Sequence, residues 1–181
     1  MPYEPPPELA ALSLAEIAAL VESRGLPPVG EWQPTREGDS LMRIAADGRW
    51  FHDGGEIKRP AMIRAFASLL TRDTAGQHWL VTPLEKLSIV VEDAAFIAID
   101  VKQESGSLAF QLNTDDLIIA GPGHAIVARG DPDVPAIYLG VRGGAEARLN
   151  RSTYGQLIEI ALTDGELSVD SQGVTFPLVP Q

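Results

Sequence analysis

The stretch from Asp47 to Asp93 constrains the fold of this chain more than any other, because its apolar period changes within one short run. It opens on two turn signals, Asp47-Gly48 and Asp53-Gly54-Gly55, with a short strand between them. Pro60 then fits the first position of a helix, where its missing N–H costs nothing. Ile63, Phe66, Ala67 and Leu70 form the buried stripe of that helix. After the turn Thr71 to Gly76 the period becomes two: a strand over Gln77 to Thr82, then Leu87, Ile89 and Val91 alternating with Ser88, Val90 and Glu92. Between these strands stands a corner, Thr82-Pro83-Leu84-Glu85-Lys86, that turns without a glycine.

The flanking sequence follows the same grammar. Pro2, Pro5, Pro6 and Pro7 make residues 1–12 an extended arm. Ser13 with Glu16 three residues on is a capping box, and Leu14, Ile17, Ala18 and Val21 form one helical face. Gly25 and Pro27-Pro28 stop that helix, whose apolar face is expected to cover the domain that follows. Residues 26–40 read as a linker, and strands are expected over 40–45 and 49–52. Beyond Asp93 the pattern is mostly β: 96–102, 107–112, 117–120, 125–128, 136–141 and 145–149, with a loop over 129–135. A second helix spans about 152–162, and strands over 167–169 and 174–178 end the chain. The second helix carries Tyr154, Leu157, Ile158 and Ala161 at the spacing of the first stripe, with Arg151 before it as Arg59 precedes the other. Asp73 and Asp164 follow the two helices similarly, so strand–helix–strand occurs twice.

Composition excludes several functions. With 45% hydrophobic residues in 181, the chain can bury a real core. A net charge of −11 with no basic run longer than Lys58-Arg59 speaks against nucleic acid and anionic membranes. The absence of cysteine removes disulfides, thiol catalysis and Cys-ligated metals. No signal-peptide pattern and no membrane-spanning apolar run is present, so a cytoplasmic protein is the expectation. His52, His78 and His124 lack metal-ligand spacing, and no cofactor motif occurs: Gly121-Pro122-Gly123 is a turn rather than a phosphate loop. Asn113-Thr114-Asp115-Asp116 reads as a capped turn. No serine sits on a nucleophile elbow.

The polar residues that remain have two readings each. Lys86 either pairs with Glu85 or meets an anionic ligand. A helix start disfavours a cation, so Arg59 and Arg151 either pair with carboxylates or join backbone N–H groups in holding an anion. Arg142, beside Gly143-Gly144, carries the same ambiguity, and Trp50 reads as core.

Taken together, Met42-Arg43-Ile44, Asp47-Gly48-x-Trp50, Gly55-x-Ile57-x-Arg59, Phe66-Ala67-x-x-Leu70, Leu80-Val81-Thr82-Pro83-x-Glu85-Lys86 and Val91-Glu92-Asp93-Ala94-x-Phe96 resemble a bacterial domain-of-unknown-function family, the one numbered 1285. Val141-Arg142-Gly143-Gly144-x-Glu146-Ala147, Arg151 and Ser171-x-Gly173-Val174-x-Phe176-Pro177-Leu178 extend the likeness to about residues 40 to 180. The resemblance implies an α+β fold of two small domains with a duplicated strand–helix–strand core, the C-terminal domain superficially pleckstrin-homology-like. It also implies a nucleotide-like ligand between the domains and a role in signalling. By position, the matching polar residues are Arg59, Thr82, Glu85, Lys86, Asp93, Arg142 and Arg151. The chain departs from the family pattern at Gln111 and Leu112, where a basic and a hydroxyl residue are usual, and at His52, where a phenol is usual.

The sequence therefore predicts an N-terminal arm and helix over 1–30, an α+β domain over 31–92 and a β-rich domain with one helix over 93–181. Its leading functional expectation is a non-enzymatic sensor or binding module for a small, anionic, nucleotide-like ligand, without cofactor or metal. The alternative is a protein-interaction scaffold with no small-molecule ligand. A third reading is an enzyme using Glu85 or Asp93 as a base.

Overall fold

A computed structural model describes residues 8–181. In chain order the elements are α1 (Leu14–Ser23), β1 (Arg36–Ile44), β2 (Trp50–His52), β3 (Gly55–Ile57), α2 (Pro60–Ala67), β4 (Leu70–Arg72), β5 (His78–Val81) and β6 (Glu85–Val91). They continue with β7 (Phe96–Glu104), β8 (Ser107–Leu112), β9 (Leu117–Ile119), β10 (Ile126–Asp131), β11 (Val134–Arg142), β12 (Ala145–Leu149), α3 (Arg151–Thr163), β13 (Ser168–Ser171) and β14 (Val174–Pro177). The chain divides into two compact units. One comprises residues 25–95 with 142–145, the other the described residues up to 24, 96–141 and 146–181.

The first unit is built on a six-stranded sheet in the order β3-β2-β1-β6-β5-β4. Two antiparallel meanders, β1–β3 and β4–β6, meet where β1 runs parallel to β6. The second unit repeats this plan: its sheet runs β10-β11-β12-β7-β8-β9, with β7 parallel to β12. The duplicated core is thus visible in strand order, while the echo read in sequence pairs two helices that are not equivalent in it. The helices fall at different points of the repeat, however. Helix α2 joins the two meanders of the first unit, whereas α3 follows both meanders of the second and leads into the β13–β14 hairpin.

Local sequence explains the elements. Gly48 closes the β1–β2 turn at φ 91°, and the Arg49 amide donates to Asp47 Oδ1 at 3.1 Å. Pro60 stands at the start of α2 as expected. The α2 stripe ends sooner than the sequence predicts: Ala67 and Leu70 are buried, but Leu70 already begins β4. Residues 129–135, expected as a loop, are the ends of β10 and β11 around a tight turn at 131–134. The linker reading also fails at its end, because β1 begins at Arg36.

Helix α1 carries the full capping box: the Glu16 amide donates to Ser13 Oγ at 3.1 Å and the Ser13 amide to Glu16 Oε1 at 3.2 Å. The sequence reading expects it on the domain that follows; it belongs instead to the second unit and packs within it. Leu9, Leu12 and Ile17 bury against Ala109, Leu117 and Ile119. Charge fixes both of its ends. The Leu14 amide at its start donates to Glu104 Oε2 at 2.9 Å, and Arg24 beyond its last turn pairs with the buried Asp116. Thr114 Oγ1 donates to the other Asp116 oxygen at 2.5 Å, so the acidic run 113–116 serves as a capped turn.

One strand is irregular. Between Asp39 and Arg43, β1 advances four residues while β6 advances two, from Ser88 to Val90. Leu41 sits in the middle of this bulge at φ 58°, a left-handed conformation that costs a bulky side chain energy. A side chain and the turn after β2 replace the missing ladder bonds. Ser40 Oγ donates to the Ser88 carbonyl at 2.7 Å, and the Asp53 amide to the Leu41 carbonyl at 2.9 Å.

Candidate functional site

Ser40 and Met42, on either side of the bulge, both line a cavity beside α2 in the first unit. The cavity, of about 310 Å³, has sheet walls from Met42, Ile57, Leu80 and Leu87 and a second wall from Met62 and Phe66 of α2 and Leu69 just beyond it. That size falls at the lower edge of ligand pockets, which are mostly apolar with few polar groups. Three polar side chains reach it, Ser40, His52 and Thr82. Behind Phe66 the fully buried Trp50 stacks at 6.5 Å between ring centroids, so the helix wall rests on a rigid aromatic pair. Trp50 is core, as the sequence indicates.

The expected site residues are not gathered at this cavity; of them only Thr82 lines it. Thr82 Oγ1 organises the corner before β6, accepting from the Glu85 amide at 3.1 Å and the Leu84 amide at 3.3 Å, and donating to the Glu85 carbonyl at 3.2 Å. Lys86 does not pair with Glu85, because neighbours on a strand point to opposite faces. Its ammonium lies 4.1 Å from the centre of the Trp79 ring and 3.7 Å from Glu37. Trp79 in turn donates its indole N–H to Asp73 at 3.0 Å, and this bond, before the Gln77 amide, holds the Asp73 carboxyl below its ordinary range. Asp73 therefore sits in the β4–β5 turn, whereas Asp164, its sequence echo, ends α3.

The arginines occupy separate places. Arg59 is exposed and stands at the N-cap of α2. Arg142 serves the other end, donating to the Ala67 carbonyl in the last turn at 3.3 Å, where a helix favours a cation. Burial first, and the charge of Arg64 second, push the Arg142 guanidinium down to about 10, so it remains charged at neutral pH. An eight-residue helix spans about 12 Å, so these two arginines flank α2 rather than converge. Asp93 is half-buried in the bend after β6. Arg151 opens α3 in the second unit, exposed, behind the Asn150 cap that accepts from the Thr153 amide at 2.8 Å.

The second unit has a more open concavity of about 360 Å³ over Leu14, Ala18, Ile119, the 121–124 turn and Gln172. Its polar groups are engaged within the fold. His124 Nδ1 lies 3.0 Å from the Gly140 carbonyl, and Gln172 donates to Ser107. No group of three or more metal-ligating side chains forms among the described residues, and none of their helices is long and apolar enough to cross a membrane.

Comparison with known proteins points one way. A family model described as "Domain of unknown function (DUF1285), N-terminal domain" matches residues 27–94, and one described as "Protein of unknown function (DUF1285), C-terminal domain" matches residues 95–178. No curated protein matches. The crystal structure of a DUF1285 family protein from Silicibacter pomeroyi DSS-3 superposes with a TM-score of 0.77 at 40% identity, covering 94% of this chain and 96% of that one. A DUF1285 family protein from Shewanella baltica OS155 shares the fold, with a TM-score of 0.55 at 24% identity over 66% of this chain and 91% of its own. With both family models matched in tandem and this full-length likeness at 40% identity, the chain belongs to the DUF1285 family.

Proposed function

We propose that this chain is a non-enzymatic small-ligand-binding or sensor module whose ligand enters the cavity of the first unit. The observation that carries the reading is the cavity itself, about 310 Å³ with seven apolar side chains from two layers facing it. Its walls contain no lysine or arginine, so they suit an apolar body better than the nucleotide-like anion that the sequence suggests. A sensor role follows from the backbone. Ligand contacts with Met42 and Ser40 act directly on the bulge at Leu41, which is held in a strained conformation and is the part of β1 with most to gain by rearranging.

A thermal-shift titration with a neutral hydrophobe such as octanol tests the reading. A ligand that binds only the native state, at ~100-fold above its Kd, adds about 2.7 kcal/mol. The wild type is expected to melt higher, and variants with a filled cavity, Leu69→Trp or Leu87→Phe, are expected not to respond. An equal response in wild type and in both variants would place the hydrophobe elsewhere and end the proposal.

A further inference from the structure

The polar chemistry of the cavity narrows the ligand class, an inference that rests on the cavity being a binding site. Of the three polar side chains on its wall, two have no donor left. Ser40 Oγ gives its one proton to the Ser88 carbonyl and accepts from the Met42 amide at 3.1 Å. Thr82 Oγ1 gives its proton to the Glu85 carbonyl and accepts two amides. His52 differs. It is exposed, it lies on the lining, and its ring makes no hydrogen bond or ion pair among the described residues. An imidazole always has one N–H to donate.

We infer that the cavity binds a small monocarboxylate, its apolar body inside and its carboxylate held at the mouth by the His52 N–H. A single head is enough, because the lining offers one uncommitted donor and no cation to neutralise a phosphate. The mouth is also where a carboxylate keeps part of its hydration, which an apolar interior would remove at high cost. The body is bounded by volume. A cavity of ~150 Å³ takes benzene, so one of about 310 Å³ takes roughly ten carbon atoms. Met42 and Met62, on opposite walls, adapt to either a chain or a fused ring pair. Both sources share the same chemistry, a hydrophobe with one carboxylate.

The test is calorimetric titration of the full chain with octanoate and 2-naphthoate, each beside its matched alcohol, in wild type, His52→Leu and His52→Gln. At least one acid is expected to bind about tenfold or more tighter than its alcohol, the value of one hydrogen bond to a charged group. His52→Leu is expected to erase that preference and leave the alcohol unchanged. His52→Gln, which keeps an N–H donor, is expected to retain most of it. If chain and ring differ, the tighter acid names the body. Equal binding of acid and alcohol, or an acid preference that survives His52→Leu, overturns the carboxylate assignment while the cavity stands as an apolar site. Failure of every compound to bind overturns both.

Discussion

Replacing Asp116 with alanine is the sharpest test of how the N-terminal helix is held. The Asp116 side chain is 2% exposed and its partner Arg24 15%, so the pair is largely desolvated. Removing one member of a buried pair typically costs 3–5 kcal/mol, because a charge stays behind in low dielectric. Arg24 retains some contact with water, which places the expected loss near the lower end, about 3 kcal/mol. For a chain of this size that corresponds to roughly 6–12 °C in melting temperature. The assay is urea denaturation followed by far-UV circular dichroism, since Trp32, Trp50 and Trp79 all lie in the first unit and report on it. The double variant Arg24→Met/Asp116→Leu removes both charges and should recover to within about 1.5 kcal/mol of wild type. A loss below about 1 kcal/mol for Asp116→Ala, the behaviour of an exposed pair, would refute the argument that this pair clamps α1 to the β8–β9 turn.

Three further perturbations follow from local geometry. Leu41→Asn keeps the bulge but suits its φ of 58°, and because Leu41 is 57% exposed little burial is lost; stability measured in urea should rise by about 1 kcal/mol. Gly144→Ala should cost about 2–4 kcal/mol, since the residue holds φ +82° and a Cβ there would stand 2.5 Å from the Arg72 carbonyl oxygen; circular dichroism melting reads it. Asp73 has its folded carboxyl pKa depressed, chiefly by the Trp79 indole. Its contribution is therefore complete above the unfolded pKa of about 3.9 and is lost as pH falls through the lower folded value. Asp73→Asn should flatten that acid limb in urea titrations followed by tryptophan fluorescence, and an unchanged slope would contradict the assignment.

What was legible in the sequence was mostly local. Ser13 and Glu16 announce α1, Pro60 announces α2, and Asp47-Gly48 and Asp53-Gly54-Gly55 mark turns, because each acts on its own backbone within a few residues. The cavity was not legible. Met42, Ile57, Leu80 and Leu87 have the alternation of any buried strand face, and nothing in that pattern distinguishes a filled core from a space. The bulge was hidden for a similar reason: Ser40-Leu41-Met42 contains no glycine, so the left-handed turn at Leu41 has no compositional mark. Partners distant in sequence were beyond reach as well. Lys86 meets Glu37 only because β1 lies parallel to β6, a pairing that no local spacing encodes. His52 departs from the family pattern, yet its place on the cavity wall depends on β2 pairing with both β1 and β3.

The most direct measurement of the central claim is methyl NMR of the chain carrying ¹³C-methyl methionine, titrated with octanoate and with octanol. The sequence has three methionines, and two of them, Met42 on the sheet and Met62 on the helix, face the cavity from opposite walls. The Met42 and Met62 signals are expected to move together, saturably and with one Kd, and Leu69→Trp is expected to abolish both shifts. Signals that stay fixed while the compound demonstrably binds, or that move separately with different affinities, would contradict a ligand site in this cavity.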